Sequence, residues 1–136
     1  MQFRTFQMSD YDAVMALWRA VGISLGVSDA PEGILHKQER DADLFVVCVA
    51  DDGAIIGAVM GSYDGRRGWI NHLAIDPQRQ SQGLGAALLA QLEQRLRAVG
   101  CVKVNLLIEM HNARVQQFYE RLDYQRDELI FMEKWL

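Results

Sequence analysis

The order of apolar and polar positions along the chain predicts alternating strands and helices. Residues 2–6 alternate and predict a short strand, and apolar positions at helical spacing from Tyr11 to Val21 predict a helix that Ser9 is expected to cap. Glycine, serine, aspartate and proline are concentrated in residues 22–33, which predicts a loop. A second short helix is expected from Ile34 to about Arg40.

The pattern then changes to three consecutive strands. The runs LFVVCVA (44–50) and AIIGAVMGSYD (54–64) flank an Asp-Asp-Gly turn at residues 51–53, and an Asp-Gly step between two β-rich runs is a strong hairpin signal. A further turn at residues 64–68 leads into WINHLAI (69–75). Because nothing helical interrupts these runs, they predict an antiparallel meander.

The rest of the chain predicts a helix, a strand, a helix and a final β segment. The first helix follows Gly83 and runs to about Val99, with Gly100 as its expected terminating residue. The run CVKVNLLI (101–108) predicts a strand, residues 112–122 predict a helix, and residues 124–136 predict one or two last strands. The order β-α-α-β-β-β-α-β-α-β(-β) indicates an α/β fold with one mixed, mostly antiparallel central sheet flanked by helices.

Composition narrows the class of protein. The 136 residues have a mass of 15.4 kDa and predict a single domain spanning 1–136. A formal net charge of −4 without a run of basic residues argues against a nucleic-acid partner. No signal peptide and no long apolar run is present, so we expect no membrane partner and a cytoplasmic location. Cys48 and Cys101 lie in apolar runs and the histidines are scattered, so neither a disulfide nor a metal is expected.

The segment LAIDPQRQSQGLGAALL (73–89) carries the clearest chemical signal. It joins a strand end, a turn and a glycine-containing loop to the start of an amphipathic helix, where backbone N–H groups lack partners and the helix dipole is positive. Gly83 and Gly85 allow close approach, so a pyrophosphate could bind the amides of about Gln82 to Ala86, with Arg79 adding charge. The alternative is that the glycines only begin a tightly packed helix. A dinucleotide fingerprint and a Walker A loop are both absent.

Two blocks of this sequence, residues 73–89 and residues 112–124, together resemble the GCN5-related N-acetyltransferases (GNAT family). The pattern Gln80-x-x-Gly83-x-Gly85, between LAIDP (73–77) and AALL (86–89), resembles the acetyl-CoA-binding motif of that family. Asn112-Ala113 followed by FYERLDY (118–124) is similar to a second family segment. Ser81 and Asp123 stand where the family often has glycine. The predicted element order also matches the family from end to end.

The resemblance implies that acetyl-CoA is the co-substrate and lies where two central strands separate. The main chain of residues 73–75 would hold the pantetheine arm, and Asn112 would contact it, cap the following helix, or do both. The implied cofactor-binding residues are Leu73, Ala74, Ile75, Arg79, Gln80, Ser81, Gln82, Gly83, Leu84, Gly85, Ala86, Asn112 and Tyr119.

The resemblance also implies catalytic roles. Tyr119 would protonate the departing thiolate, although a core tyrosine is the alternative. A base must deprotonate the amine, and Glu109 is the first candidate because it would close the strand at the thioester; His72 is the second. Asp64 and His111 are weaker candidates.

The acceptor is expected to meet the loop between the first two helices. Asp29 and Glu32, with Tyr63 and Trp69, could form an acidic and aromatic mouth for a cationic amine, or belong to an ordinary surface. The predicted activity is direct transfer of an acetyl group to a small amine, an amino acid or a peptide N-terminus. The alternative is an inactive CoA-binding regulatory or partner-binding module, and a monomer or a homodimer is equally compatible with the sequence.

Overall fold

The computed structural model describes all residues from 1 to 136, which form two compact units, 1–106 and 107–136. The first unit contains a five-stranded sheet and three α-helices. The strands are β1 (Gln2–Thr5), β2 (Phe45–Val49), β3 (Ile55–Tyr63), β4 (Gly68–Ile75) and β5 (Val104–Leu106), and the helices are α1 (Tyr11–Ala20), α2 (Pro31–Arg40) and α3 (Leu84–Ala98). The second unit contains α4 (Ala113–Glu120). None of these helices combines the length and apolar content needed to cross a bilayer.

The sheet has the predicted mixed, mostly antiparallel arrangement. Its strands follow chain order, β1-β2-β3-β4-β5, with three antiparallel pairings and one parallel pairing between β4 and β5. The hairpin at Gly53 forms as expected, because a φ of +89° suits glycine and the Ala50 N–H donates to the Ala54 carbonyl at 2.8 Å. Gly100 likewise ends α3 with a φ of +95°, as predicted.

Helices cover both faces of this sheet. Ala58 and Met60 of β3 join the buried cluster that contains Val14 and Trp18 of α1, and Ile34 of α2 belongs to the same cluster. The intervening β3 residues face α3, since a Cβ at Gly61 would come within 2.6 Å of Leu92 Cδ1. Successive strand residues point to opposite faces, so α1 and α2 lie on one side and α3 on the other.

The start of α1 differs from the prediction. Ser9 does not cap the helix; a short 3₁₀ turn over Met8–Asp10 precedes it. The Asp10 carboxylate accepts from Arg4 at 2.7 and 3.0 Å and from the Gln7 N–H at 2.9 Å, so this turn is fixed to β1. Hydrogen bonding from Arg4 accordingly lowers the pKa of Asp10. The second helix also begins earlier than expected, at Pro31, where proline is favoured in a first turn.

The predicted strands after β4 are only partly formed. β5 covers residues 104–106 instead of 101–108. The expected last strand or strands in 124–136 are absent, and residues 125–136 are exposed without regular structure. Alternating apolar residues form a strand only where a paired neighbour satisfies the backbone, and sequence alternation alone does not supply that neighbour. The two cysteines are free and buried, as predicted.

Candidate active site

Strand β4 extends well beyond its pairing with β5. The parallel register joins Gly68 to Val104 and ends at Ile70 with Leu106, whereas β4 itself continues to Ile75. On the β5 side, the main chain of residues 71–75 therefore lies outside the ladder. Such an edge presents N–H and C=O groups that an extended ligand can pair with.

A β-bulge interrupts the same strand. Met60 pairs with Asn71 and Ala58 with Ala74, so His72 and Leu73 together stand opposite a single β3 residue. His72 has a φ of +54°, a strained conformation for a residue with a side chain. The imidazole lies edge-on to Trp18 of α1, with ring centroids 4.7 Å apart. The bulge thus directs His72 to the face of the sheet that α1 and α2 cover.

Asp29 meets His72 on that face. Asp29 is 6% exposed and ends a 3₁₀ turn over Val27–Asp29, directly before α2. Its Oδ2 accepts from the Gly26 N–H at 2.8 Å, and its carbonyl accepts from the Tyr11 hydroxyl at 2.7 Å. Its other oxygen, Oδ1, lies 3.2 Å from Nε2 of His72. The carboxylate is held on both sides, so it can fix the orientation of the imidazole.

An open cavity of about 480 Å³ lies beside this pair. Its polar lining includes Ser28, Asp29, His36, Lys37, Arg40, Ser62, Asn71 and His72. Lys37 donates to Asp41 Oδ2 at 2.8 Å, to Ser62 Oγ at 3.0 Å and to the Gly61 carbonyl. Burial lowers the pKa of Lys37, and the contact with Asp41 opposes that shift. The wall of the cavity therefore contains the Asp29–His72 pair and the cationic side chains of Lys37 and Arg40 from α2.

The predicted acidic and aromatic mouth has a different composition in the structure. Asp29 lines the cavity, but Glu32 and Trp69 do not, and Tyr63 lines a separate, smaller one. The Tyr63 hydroxyl instead donates to the Gly65 carbonyl at 3.0 Å, close to its own turn. Sequence reasoning missed Lys37 and Arg40, although their spacing of three residues on a helix could have indicated a shared face.

The loop after β4 and the start of α3 form an ordered main-chain turn. Asp76 accepts from the Gln78 N–H at 2.9 Å, and the Gln80 side chain donates to the Ile75 carbonyl at 3.2 Å. Ser81 and Gly83 have φ values of +65° and +78°. Glycine adopts a left-handed conformation more easily than serine does. The conformation of Ser81 therefore explains why the acetyl-CoA-binding motif that this loop resembles often has glycine at that position.

The N-terminus of α3 has no side-chain cap. Its first intrahelical bond runs from the Ala87 N–H to the Gly83 carbonyl, so the N–H groups of residues 84–86 have no acceptor within the helix. A Cβ placed on Gly83 would meet no atom within 4 Å, which shows open space in front of this turn. The arrangement can receive an anion.

In the second unit, Glu109 and His111 are exposed and pair with each other. Their side chains are 78% and 83% exposed, and Glu109 Oε2 lies 3.1 Å from His111 Nε2. Glu109 does not end a strand as expected, because β5 stops at Leu106. Of the two leading base candidates, the structure puts only His72 in the wall of the described cavity.

The motif residues on α4 are ordered within their unit. Asn112 caps the helix, accepting from the Val115 N–H at 3.3 Å, so that part of the prediction is confirmed. Tyr119 is 7% exposed and lies edge-on to the rings of Phe118 and Tyr124. This burial raises the pKa of the Tyr119 phenol. Asp123 has a φ of +68° just after the helix, the conformation that the family's glycine would adopt.

Comparison with known proteins finds one family. The profile described as acetyltransferase (GNAT) family matches residues 11–124. An acetyltransferase of Yersinia enterocolitica is 38% identical over 136 residues, which cover 100% of this chain and 96% of that protein. An acetyltransferase of Pectobacterium atrosepticum is 36% identical, again over 100% of this chain and 96% of that protein.

Solved structures share the fold. An acetyltransferase of Trypanosoma brucei is 25% identical with a TM-score of 0.74, covering 98% of this chain and 99% of that one. The PaiA N-acetyltransferase of Thermoplasma acidophilum, solved in complex with coenzyme A, is 18% identical with a TM-score of 0.79, covering 89% of this chain and 87% of that one.

Proposed function

Because the chain belongs to the GNAT family of acetyltransferases and is an N-acetyltransferase, we propose that it transfers the acetyl group of acetyl-CoA to a primary amine. The acceptor is a small molecule or a peptide with a free amine. One observation carries the donor half of this proposal: the strand whose β5-side edge is unpaired over residues 71–75 leads, through the loop of residues 76–83, to the uncapped N-terminus of α3.

This geometry fits the two ends of coenzyme A. The pyrophosphate accepts hydrogen bonds from the main-chain N–H groups of residues 80–86, where the dipole of α3 adds favourable charge. The amides of the pantetheine arm pair with the main chain of Leu73 and Ile75 along the free edge. Arg79 and Gln82, both exposed, flank the phosphates. The resemblance to the family motif adds Asn112 as a contact to the pantetheine arm.

The acceptor half of the reaction needs a base, because a protonated amine has no lone pair for attack. His72 takes this proton, and Asp29 keeps the imidazole oriented through its contact with Nε2. The amine nitrogen then bonds to the thioester carbon. The tetrahedral intermediate loses the second nitrogen proton to solvent and collapses to the amide as the carbon–sulfur bond breaks and the thiolate leaves. Tyr119 is the proposed proton donor to that thiolate on the basis of its motif, and its raised pKa keeps the phenol protonated at neutral pH.

The test is release of free CoA thiol from acetyl-CoA in the presence of a panel of primary amines. Gly83→Val adds a side chain where phosphates are expected, so the KM for acetyl-CoA should rise about tenfold or more through the loss of charge-assisted bonds. Gly53→Val is the matched control, since Gly53 also has a positive φ and open space around its Cα but lies in the β2-β3 hairpin.

Three results would oppose the proposal. Equal KM values for acetyl-CoA in Gly83→Val and Gly53→Val would mean that the loop at Gly83 does not bind the donor. A folded protein that acetyl-CoA stabilises but that releases no thiol with any amine would indicate the inactive CoA-binding module instead. A melting temperature unchanged by acetyl-CoA would contradict both functions.

A further inference from the structure

The cavity on the α1 and α2 face has two chemically different ends. His72 stands on the bulge opposite Val59, and Ser62, which binds Lys37, lies three residues further along β3. At about 3.3 Å per residue, the two positions are separated by about 10 Å along the strand. One end is therefore formed by Asp29 with His72, and the other by the side chains that α2 projects toward Ser62.

At the α2 end, one cation is fully engaged. The ammonium group of Lys37 has three N–H donors. They meet three acceptors, the Asp41 carboxylate, the Ser62 hydroxyl and the Gly61 carbonyl. Lys37 also has a side chain only 16% exposed. Lys37 thus joins α2 to β3 and has no donor left for a ligand.

The second cation at this end is differently placed. Arg40 has a side chain 55% exposed, and its nearest acidic contact is Asp41 Oδ2 at 3.6 Å. Its bond to the Tyr63 carbonyl is long, at 3.5 Å. Asp41 is shared with Lys37, so these two cations face the same buried carboxylate. A guanidinium carries five N–H donors in a planar fork suited to carboxylate and phosphate oxygens.

We infer that the acceptor is an amine that also carries an anionic group, a carboxylate or a phosphate, which Arg40 binds while the amine lies at His72. The inference rests on the proposed function and specifies its substrate class. The titratable groups that line the cavity are Asp29, His36, Lys37, Arg40 and His72, so Asp29 is its only lining acid. The cavity therefore matches a molecule with a positive and a negative end better than the simple cationic amine that the sequence suggested.

The separation of the ends also constrains the acceptor. The backbone positions at the two ends are about 10 Å apart, whereas the amine and carboxylate of an α-amino acid are joined through a single carbon. An acceptor with several carbons between its charged groups reaches both ends. Within a series of ω-amino acids, kcat/KM should therefore increase from glycine through 4-aminobutyrate to 6-aminohexanoate.

The experiment compares each ω-amino acid with its amide, and an aminoalkyl phosphate with the corresponding amino alcohol, in the thiol-release assay. We expect the charged member of each pair to have a KM about tenfold lower or more. Arg40→Gln should abolish that difference by raising KM for the charged member alone. Arg97→Gln is the control, because Arg97 is exposed on α3, on the opposite face of the sheet. Comparing the ω-amino acids with the aminoalkyl phosphate identifies which anion the acceptor site prefers.

Two outcomes would overturn the inference and leave the acetyltransferase activity intact. One is equal kcat/KM for the acids and their amides. The other is an equal loss for both members of a pair in Arg40→Gln, which would indicate a structural defect. Absence of transfer to every amine would instead contradict the proposed function itself.

Discussion

At the scale of single residues, the contact between Asp29 and His72 joins the turn before α2 to strand β4. The two residues are 43 positions apart, and the His72 side chain reaches Asp29 only because a bulge turns it to that face. Both residues were candidates separately, one as a base and one as part of a mouth. Their pairing depends on register, and hydrophobic alternation does not encode an extra residue in a strand.

This pairing leads to a kinetic prediction. Asparagine tolerates the left-handed conformation, so His72→Asn removes the imidazole with little added strain and should lower kcat/KM by about 10²-fold or more. The loss in His72→Asn should exceed the loss in Glu109→Gln, because of these two residues only His72 lines the cavity. Asp29→Asn should give a smaller loss of kcat.

The measurement is kcat/KM for these variants beside Glu109→Gln. A large loss in Glu109→Gln, together with unchanged kcat/KM in His72→Asn, would return the base role to Glu109. Circular dichroism and melting curves check that each variant is folded.

At the scale of elements, Gly33 positions the turn that carries Asp29. A Cβ on Gly33 would lie 2.3 Å from the Ser28 carbonyl oxygen, a backbone atom that cannot turn aside. Alanine normally favours a helix over glycine by about 1 kcal/mol, but a contact this short costs more, roughly 1–3 kcal/mol. Gly33→Ala should therefore destabilise the fold and reduce kcat/KM, since the Val27–Asp29 turn must move.

Gly26→Ala provides the comparison in the same segment. Gly26 has a negative φ of −116°, and no atom lies within 4 Å of the position that a methyl group would take there, so alanine should be accepted. Urea unfolding and the thiol-release assay measure both effects. If Gly33→Ala were as stable and as active as Gly26→Ala, α2 would not be fixing the Asp29 turn.

Elements with strong local signals were predictable from the sequence. The helix after Gly83 and the hairpin at Gly53 follow from apolar periodicity and from glycine at positive φ, both of which are local. The length of β5, and whether residues 124–136 form a strand, depend on the presence of a neighbouring strand to pair with. That is a non-local condition. The turn before α3 was predictable for the same reason as the helix, whereas the position of Arg40 beside the cavity was not.

At the scale of the whole molecule, the buried Tyr119 phenol links folding to alkaline pH. Its pKa is raised in the folded chain, so unfolding lets the phenol ionise near the ordinary value of about 10. The unfolded state then binds fewer protons than the folded state, and stability falls as pH rises from there toward the folded-state pKa. The expected slope from this group approaches about 1.4 kcal/mol per pH unit.

Urea unfolding of the wild type and of Tyr119→Phe between pH 8 and about 11 measures this effect. The difference in unfolding free energy between them should shift in favour of the phenylalanine variant as pH increases. If the difference in unfolding free energy stays constant with pH, the fold does not raise the pKa of Tyr119.

The bulge at His72 has a consequence for how this protein would respond to selection. A left-handed conformation costs a residue with a side chain on the order of 1–3 kcal/mol, and glycine would largely avoid that cost. Screening a mutant library for heat resistance alone would thus enrich glycine at position 72. The most heat-resistant clones would then lack the imidazole that we propose as the base, so at this position thermostability and turnover would have to be selected together.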